Sequence, residues 1–169
     1  TWGESDTAYQ NNMTGRWDYH NYPSMIKAPN GKILIFYNLH TKEMYLLESE
    51  NAHSIQGNWT RRTISIDLNC YPAPVIADCT IYVFYSKNDE ASYPYRTLCY
   101  IKSDDNGKAW SEPKVVIDNQ KKEPMRYNEV YLCGSVYVPA CGKYPERIQL
   151  TWSMWGGPKG HARGGYAGY

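Results

Sequence analysis

Short apolar runs bounded by turn-forming residues recur along the chain, and no stretch carries a long helical pattern. Lys32-Ile33-Leu34-Ile35-Phe36-Tyr37 and Thr80-Ile81-Tyr82-Val83-Phe84-Tyr85 are rich in β-branched and aromatic residues, the types that fit a pleated, largely buried strand. A further strand is predicted after each, over Glu43 to Glu48 and over Arg96 to Lys102. Ahead of these pairs stands a repeated outline. Tyr22-Pro23-Ser24-Met25-Ile26-Lys27-Ala28 recurs as Tyr71-Pro72-Ala73-Pro74-Val75-Ile76-Ala77, at an offset of 71 − 22 = 49. Trp59 and Trp110, 110 − 59 = 51 apart, each precede a final strand.

Between Thr97-Leu98-Cys99-Tyr100-Ile101 and Lys114-Val115-Val116-Ile117 lies Ser103-Asp104-Asp105-Asn106-Gly107-Lys108-Ala109-Trp110. Asn-Gly tolerates positive φ, and Ser and Asp side chains can accept hydrogen bonds from a turn's backbone amides, so this segment predicts a hairpin turn. Trp110 is placed to cover the hairpin's apolar side. Four short strands per unit of about 50 residues are the mark of a propeller blade. Units are expected over about 20–68, 69–118 and 127–169. The third carries Val130-Tyr131-Leu132-Cys133 and Arg147-Ile148-Gln149-Leu150-Thr151-Trp152-Ser153. The expected fold class is therefore all-β, with about two and a half to three four-stranded antiparallel blades in one partial propeller domain. A closed propeller needs about four to eight blades, so remaining blades or oligomer partners are expected to complete it.

Composition agrees with this pattern. Seventeen Tyr, six Trp, ten Pro and thirteen Gly suit many short strands joined by turns. A formal net charge of +1 with no long basic run argues against nucleic acid as a partner. No apolar run approaches membrane-spanning length, and no signal peptide is recognisable, as in a mature secreted chain. Asn12-Met13-Thr14 and Asn58-Trp59-Thr60 are glycosylation sequons, and an extracellular location is expected. Cys70, Cys79, Cys99, Cys133 and Cys141 lack the spacing of a zinc ribbon. Cys133 and Cys141 flank a short segment and could pair across a hairpin if geometry allowed.

Candidate chemistry gathers at predicted strand ends. Asp18-Tyr19-His20-Asn21-Tyr22-Pro23 directly precedes the first strand, and His40 ends the next, 40 − 20 = 20 residues later. Each histidine could equally be a polar residue satisfied by its neighbours. His53, in a polar loop, and His161, in a Gly-rich tail, read as surface residues, and Trp59 and Trp110 as structural. Asp18, Glu43 and Asp67 do not form the opposed carboxylate pair of a glycosidase. No G-x-S-x-G, P-loop or H-E-x-x-H stretch is present.

Two resemblances follow from these residues. The 103–110 segment resembles the Asp box of sialidase-type propellers, with Ala109 in place of the usual hydroxyl residue. D-x-H-N-x-P, an apolar strand, Asn-Gly, a second strand ending in His and a later Tyr-Pro resemble the BNR-4 group of sialidase-like propellers, over about Trp17 to Trp155. That group includes polysaccharide lyases such as ulvan lyases. The resemblance implies β-elimination at a uronate and an acidic polysaccharide as partner. It implies catalytic roles for His20, His40 and Tyr71, with Tyr71 and one histidine transferring protons and the other histidine holding the carboxylate. It implies substrate contacts at Asn21, Lys87, Arg126 and Tyr127. The arginine that the lyases carry at the end of the second blade's inner strand is absent here, where Phe84-Tyr85-Ser86-Lys87 stands. Lys87 would supply a point charge without the bidentate fork, and Arg126, otherwise a solvated loop residue, is a substitute. The alternative is a non-catalytic carbohydrate-binding or structural propeller. A sialidase is disfavoured, since no arginine triad or R-I-P segment is recognisable. No cofactor is predicted. Some relatives hold a structural metal ion, and no ligand cluster in the sequence singles out a site for one.

Overall fold

The computed structural model describes residues 23–38, 42–88, 96–118, 128–156 and 167–168. Period-two alternation builds its strands. In β2 (Ile33–Asn38) Leu34, Phe36 and Asn38 are buried while the residues between them are half-buried, as a pleat that sends successive side chains to opposite faces requires. β1 (Ser24–Lys27) and β3 (Lys42–Ser49) pair antiparallel with β2 on its two sides.

β3 is followed by β4 (Trp59–Ala77), a strand of 19 residues. Its first part pairs with β3, and the part from Asn69 onward pairs with β5 (Thr80–Asn88). The final strand of the first unit and the Tyr71–Ala77 strand, expected as separate elements, are thus one continuous strand. The change of partner falls at Asn69, which pairs with both Lys42 of β3 and Lys87 of β5, and a register shift between Cys70 and Ala73 then interrupts the β5 ladder. That bulge also accommodates Pro72, which has no amide to give to a ladder. β6 (Arg96–Ser103) pairs with β5, and β7 (Lys114–Ile117) pairs with β6. A single parallel pair, Arg96 with Glu129, joins β6 to β8 (Asn128–Val138). β8 forms a hairpin with β9 (Arg147–Gly156), and β10 (Ala167–Gly168) pairs with β9. All ten strands belong to one curled, open sheet.

Curling brings successive strand groups face to face. On one side of β5, Ile81, Val83 and Tyr85 pack with Leu34, Phe36, Met44 and Leu46 in a first core. On its other side, Phe84 and Tyr82 pack with Leu98, Val130, Leu132, Ile148 and Leu150 in a second core. Burial on both faces explains why β5 and β6 read as near-continuous apolar runs. The β8–β9 hairpin still exposes Val136 and Trp152, at 52% and 48%.

The 103–110 turn has the hydrogen bonds its residues predict. Asn106 and Gly107 take φ of 63° and 86°. Ser103 Oγ accepts from the Gly107 amide at 2.8 Å, and Asp105 Oδ1 accepts from the amides of Lys108 and Ala109 at 3.0 and 2.9 Å. Trp110 donates Nε1–H to the Gly107 carbonyl at 3.1 Å and meets Phe36 edge to face at 5.8 Å. Cys133 and Cys141 are not joined, and both are free and exposed. The hairpin reverses between Val138 and Arg147, so Cys141 faces Tyr144 within the loop, whereas Cys133 lies beside Ser153 of β9. His53 is exposed, as its polar loop suggests.

Candidate functional site

One end of the sheet collects buried polar side chains. β1 begins there at Ser24 and β2 ends there at Asn38, while β5 ends at Asn88, paired with Arg96 at the start of β6. Asn38, Asn69, Ser86, Arg96, Thr97 and Glu129 are all buried at this end. Buried polar groups are generally hydrogen-bonded within the protein, and here they form two networks, one on each face of β5.

The first network surrounds Tyr71. This residue sits in the β4 bulge with φ of 60°, a left-handed conformation that costs a bulky residue roughly 1–2 kcal/mol. The next residue is anchored, because Ser24 Oγ donates to the Pro72 carbonyl at 2.6 Å. The Tyr71 ring lies 5.7 Å from that of Tyr131, and the Arg96 guanidinium carbon is 5.7 Å from the Tyr71 ring centre and 5.2 Å from the Tyr131 ring centre. Arg96 Nη1 donates to the Tyr131 hydroxyl oxygen at 2.9 Å, and Nε stands 3.5 Å from Glu129 Oε1. The Tyr131 hydroxyl donates to the other Glu129 oxygen. Burial pushes the Tyr131 phenol up, and the pull of Arg96 does not offset burial together with Glu129. Burial disfavours the charged form of Arg96, but Tyr131, Cys70, Glu129 and Tyr71 outweigh it and raise its pKa, so Arg96 is a cation.

The second network holds Lys87. Its Nζ lies 3.0 Å from Asp67 Oδ1, and Asp67 Oδ2 accepts from the Tyr85 hydroxyl at 3.2 Å. Burial first, then the Asp67 charge, drives the Tyr85 phenol far above its ordinary value. Asn38 Nδ2 donates to Asn69 Oδ1 at 2.9 Å, and Asn69 Nδ2 donates to the Asp67 carbonyl at 2.8 Å. Successive residues of β5 face opposite ways. Lys87 is therefore on the side of the first core, whereas Ser86, which donates to the Val130 carbonyl at 2.7 Å, faces the second.

Of the residues singled out from sequence, Tyr71 and Lys87 are described, and they belong to different networks. His20, Asn21, His40, Arg126 and Tyr127 lie outside the described residues. The cation beside Tyr71 is Arg96, which sequence reasoning missed along with Glu129 and Tyr131. The available signals were slight: a charged residue opening an otherwise apolar strand, and acidic and phenolic residues two apart at the head of another. Among the described residues, no group of three His, Cys, Asp or Glu side chains could hold a metal ion. A separate cleft of about 350 Å³ lies between strands β4 to β7 and the β8–β9 hairpin, lined by Tyr82, Phe84, Tyr100, Tyr137, Glu146 and Arg147 among others.

The BNR repeat-containing family profile matches residues 1–96, more than half of the chain. The chain belongs to the BNR repeat-containing family. No curated protein matches this BNR chain in sequence. Among solved structures it is similar to a polysaccharide lyase, an ulvan lyase bound to -[GlcA(1-4)Rha3S]-. The TM-score is 0.69 at 16% identity, covering 86% of this chain and 34% of that one. A second ulvan lyase structure gives a TM-score of 0.68 at 17% identity, with coverages of 86% and 34%. The BNR chain thus spans about a third of the length of those lyases. Its ten-stranded sheet is part of a β-propeller.

Proposed function

We propose that this chain is part of a secreted polysaccharide lyase that cleaves a uronate-containing glycan by β-elimination. The observation that carries the reading is Tyr71, held at φ of 60° in a bulge beside the buried Arg96 cation. Backbone strain in a bulky side chain persists only where its surroundings enforce it, and it concentrates at functional sites. The ulvan lyase bound to an acidic saccharide has the same fold, which supports an acidic glycan as the partner here.

In the reaction, a base removes the proton at C5 of the uronate and the electrons form a C4–C5 double bond. The C4–O4 bond breaks, and an acid protonates the departing O4. Tyr71 and one of His20 and His40 are the proton-transfer pair, since phenol and imidazole can each give or take a proton near neutral pH when suitably placed. The other histidine holds the carboxylate, on which negative charge grows, and Asn21, Arg126 and Tyr127 are assigned to substrate binding. Lys87 is balanced by Asp67, so it is a poorer carboxylate clamp than its sequence position suggests. Further blades, or a partner copy, would cover the open edge of the sheet.

The test is ultraviolet absorbance while the full-length protein is incubated with a panel of uronate polysaccharides, ulvan first. Rising absorbance from a 4,5-unsaturated uronate, abolished by His40→Ala and slowed about 10²-fold or more by Tyr71→Phe, is the expected result. A second reading, a non-catalytic carbohydrate-binding module, is favoured by the cleft lined with Tyr82, Phe84 and Tyr100, because aromatic faces can stack on sugar rings. A flat trace with measurable glycan binding would select it. No rise and no binding would refute both.

A further inference from the structure

Two costly features meet at one point of the sheet. Tyr71 is held in the left-handed region, and within reach of its ring a buried ion pair joins Arg96 to Glu129, with side chains 9% and 6% exposed. A buried ion pair contributes little net stability compared with apolar packing, because both charges lose their water. Stability alone is therefore a poor reason for an arginine here, at the one ladder pair that joins β6 to β8.

The geometry supplies a better one. The guanidinium donates to the Tyr131 hydroxyl and is ion-paired with Glu129 at 3.5 Å, and its carbon stands 5.7 and 5.2 Å from the centres of the Tyr71 and Tyr131 rings. We propose that Arg96 is the positioning residue of Tyr71: anchored by Glu129 and Tyr131, its guanidinium holds the Tyr71 ring and supplies the positive charge against which that phenol ionises. This inference rests on the lyase reading for its catalytic meaning, but the Arg96–Tyr71 coupling can be measured without turnover. Among the described residues, the titratable groups facing Arg96 include Tyr71 and Cys70 on β4 and Glu129 and Tyr131 on β8. Lys87, on the opposite face of β5, is bound to Asp67. Replacing Arg96 therefore removes the described cation beside Tyr71, and replacing Glu129 removes a carboxylate that opposes it.

The experiment is carbon-13 NMR of the full chain with labelled tyrosines, following the Tyr71 ring signal with pH. The signal is assigned by its loss in Tyr71→Phe, and near-ultraviolet circular dichroism checks the fold of each variant. In Arg96→Gln the Tyr71 phenol should ionise about one pH unit or more higher than in the wild type, since a nearby cation favours the phenolate. Glu129→Gln should move it lower, and Arg96→Lys should restore part of the loss. If Arg96→Gln does not fold, the Lys and Glu129→Gln variants carry the test in opposite directions. Tyr71 titrating at one pH in every folded variant would overturn the proposal. If the wild type also releases unsaturated uronate, Arg96→Lys should lower kcat by about tenfold or more with KM little changed. That loss should vanish in a Tyr71→Phe background, because a residue acting through Tyr71 has nothing left to act on. A Tyr71 titration that follows Arg96, in a full-length protein with no eliminase activity, would keep the coupling and reject the lyase reading.

Discussion

Ser24 Oγ donates a hydrogen bond of 2.6 Å to the carbonyl oxygen of Pro72, 48 residues further along the chain. The bond ties the first residue of β1 to the bulge in β4, and so couples the entry of one strand group to the backbone that holds Tyr71 in a positive-φ conformation. Ser24→Ala should destabilise the chain by about 1 kcal/mol, the usual worth of one such bond. Urea denaturation would measure it as a lower midpoint with an unchanged slope.

Tyr71→Phe separates chemistry from packing. The ring contacts with Tyr131 and Arg96 are kept, so stability should change by less than about 1 kcal/mol. Turnover on a uronate polysaccharide should fall about 10²-fold or more, as loss of a proton-transfer group does. Steady-state absorbance assays on wild type and variant, beside their melting curves, check both halves.

Tyr85 is fully buried, and its hydroxyl donates to Asp67. Tyr85→Phe keeps the ring in the first core and leaves Asp67 paired with Lys87, so the expected loss is about 1 kcal/mol and no more. A loss of several kcal/mol in denaturant titrations would mean that the Asp67–Lys87 pair collapses without the phenol.

Glu48 in β3 accepts from Lys32 Nζ at 2.8 Å and from Arg62 on its other oxygen. Burial raises its pKa, but the Lys32 hydrogen bond and the charges of Arg62 and Lys32 together hold it below the ordinary 4.5. The folded chain thus binds this proton more weakly than the unfolded chain does. Its stabilisation is complete above pH 4.5 and is lost as the pH falls through the lower folded value. Glu48→Gln should therefore flatten the acid limb of a plot of unfolding free energy against pH, and leave its shape near neutrality unchanged.

Trp110 closes the 103–110 turn onto Phe36. Trp110→Ala removes a large half-buried ring from the edge of the first core and should cost about 3 kcal/mol. A thermal melt would report the change, and Trp110→Phe should recover much of it.

Much of the fold is legible along the chain because strands and turns are local objects. Alternation in Ile33–Asn38 and Thr80–Asn88, turn chemistry at Asn106-Gly107 and the recurrence of Tyr-Pro at 22 and 71 depend on residues a few positions apart. Tyr71 could be named as a candidate for the same reason, since it opens the second copy of a repeated outline. The candidate site is less legible. Lys87 stands where a free cation would be useful, but the pleat turns it toward Asp67.

The sequence by itself determined the all-β class, strands such as Ile33–Asn38 and Thr80–Asn88 and the turn at 103–110, all governed by short-range sterics, side-chain capping and period-two burial. Only the tertiary structure decided that β4 runs unbroken from one strand group into the next. It alone set Arg96 against Tyr71 and Tyr131, while Lys87 lies on the opposite face. The physical reason is that bulges, registers and charge pairs depend on which faces are buried against each other when the sheet curls. That is a property of surfaces far apart in sequence, and no single strand carries it.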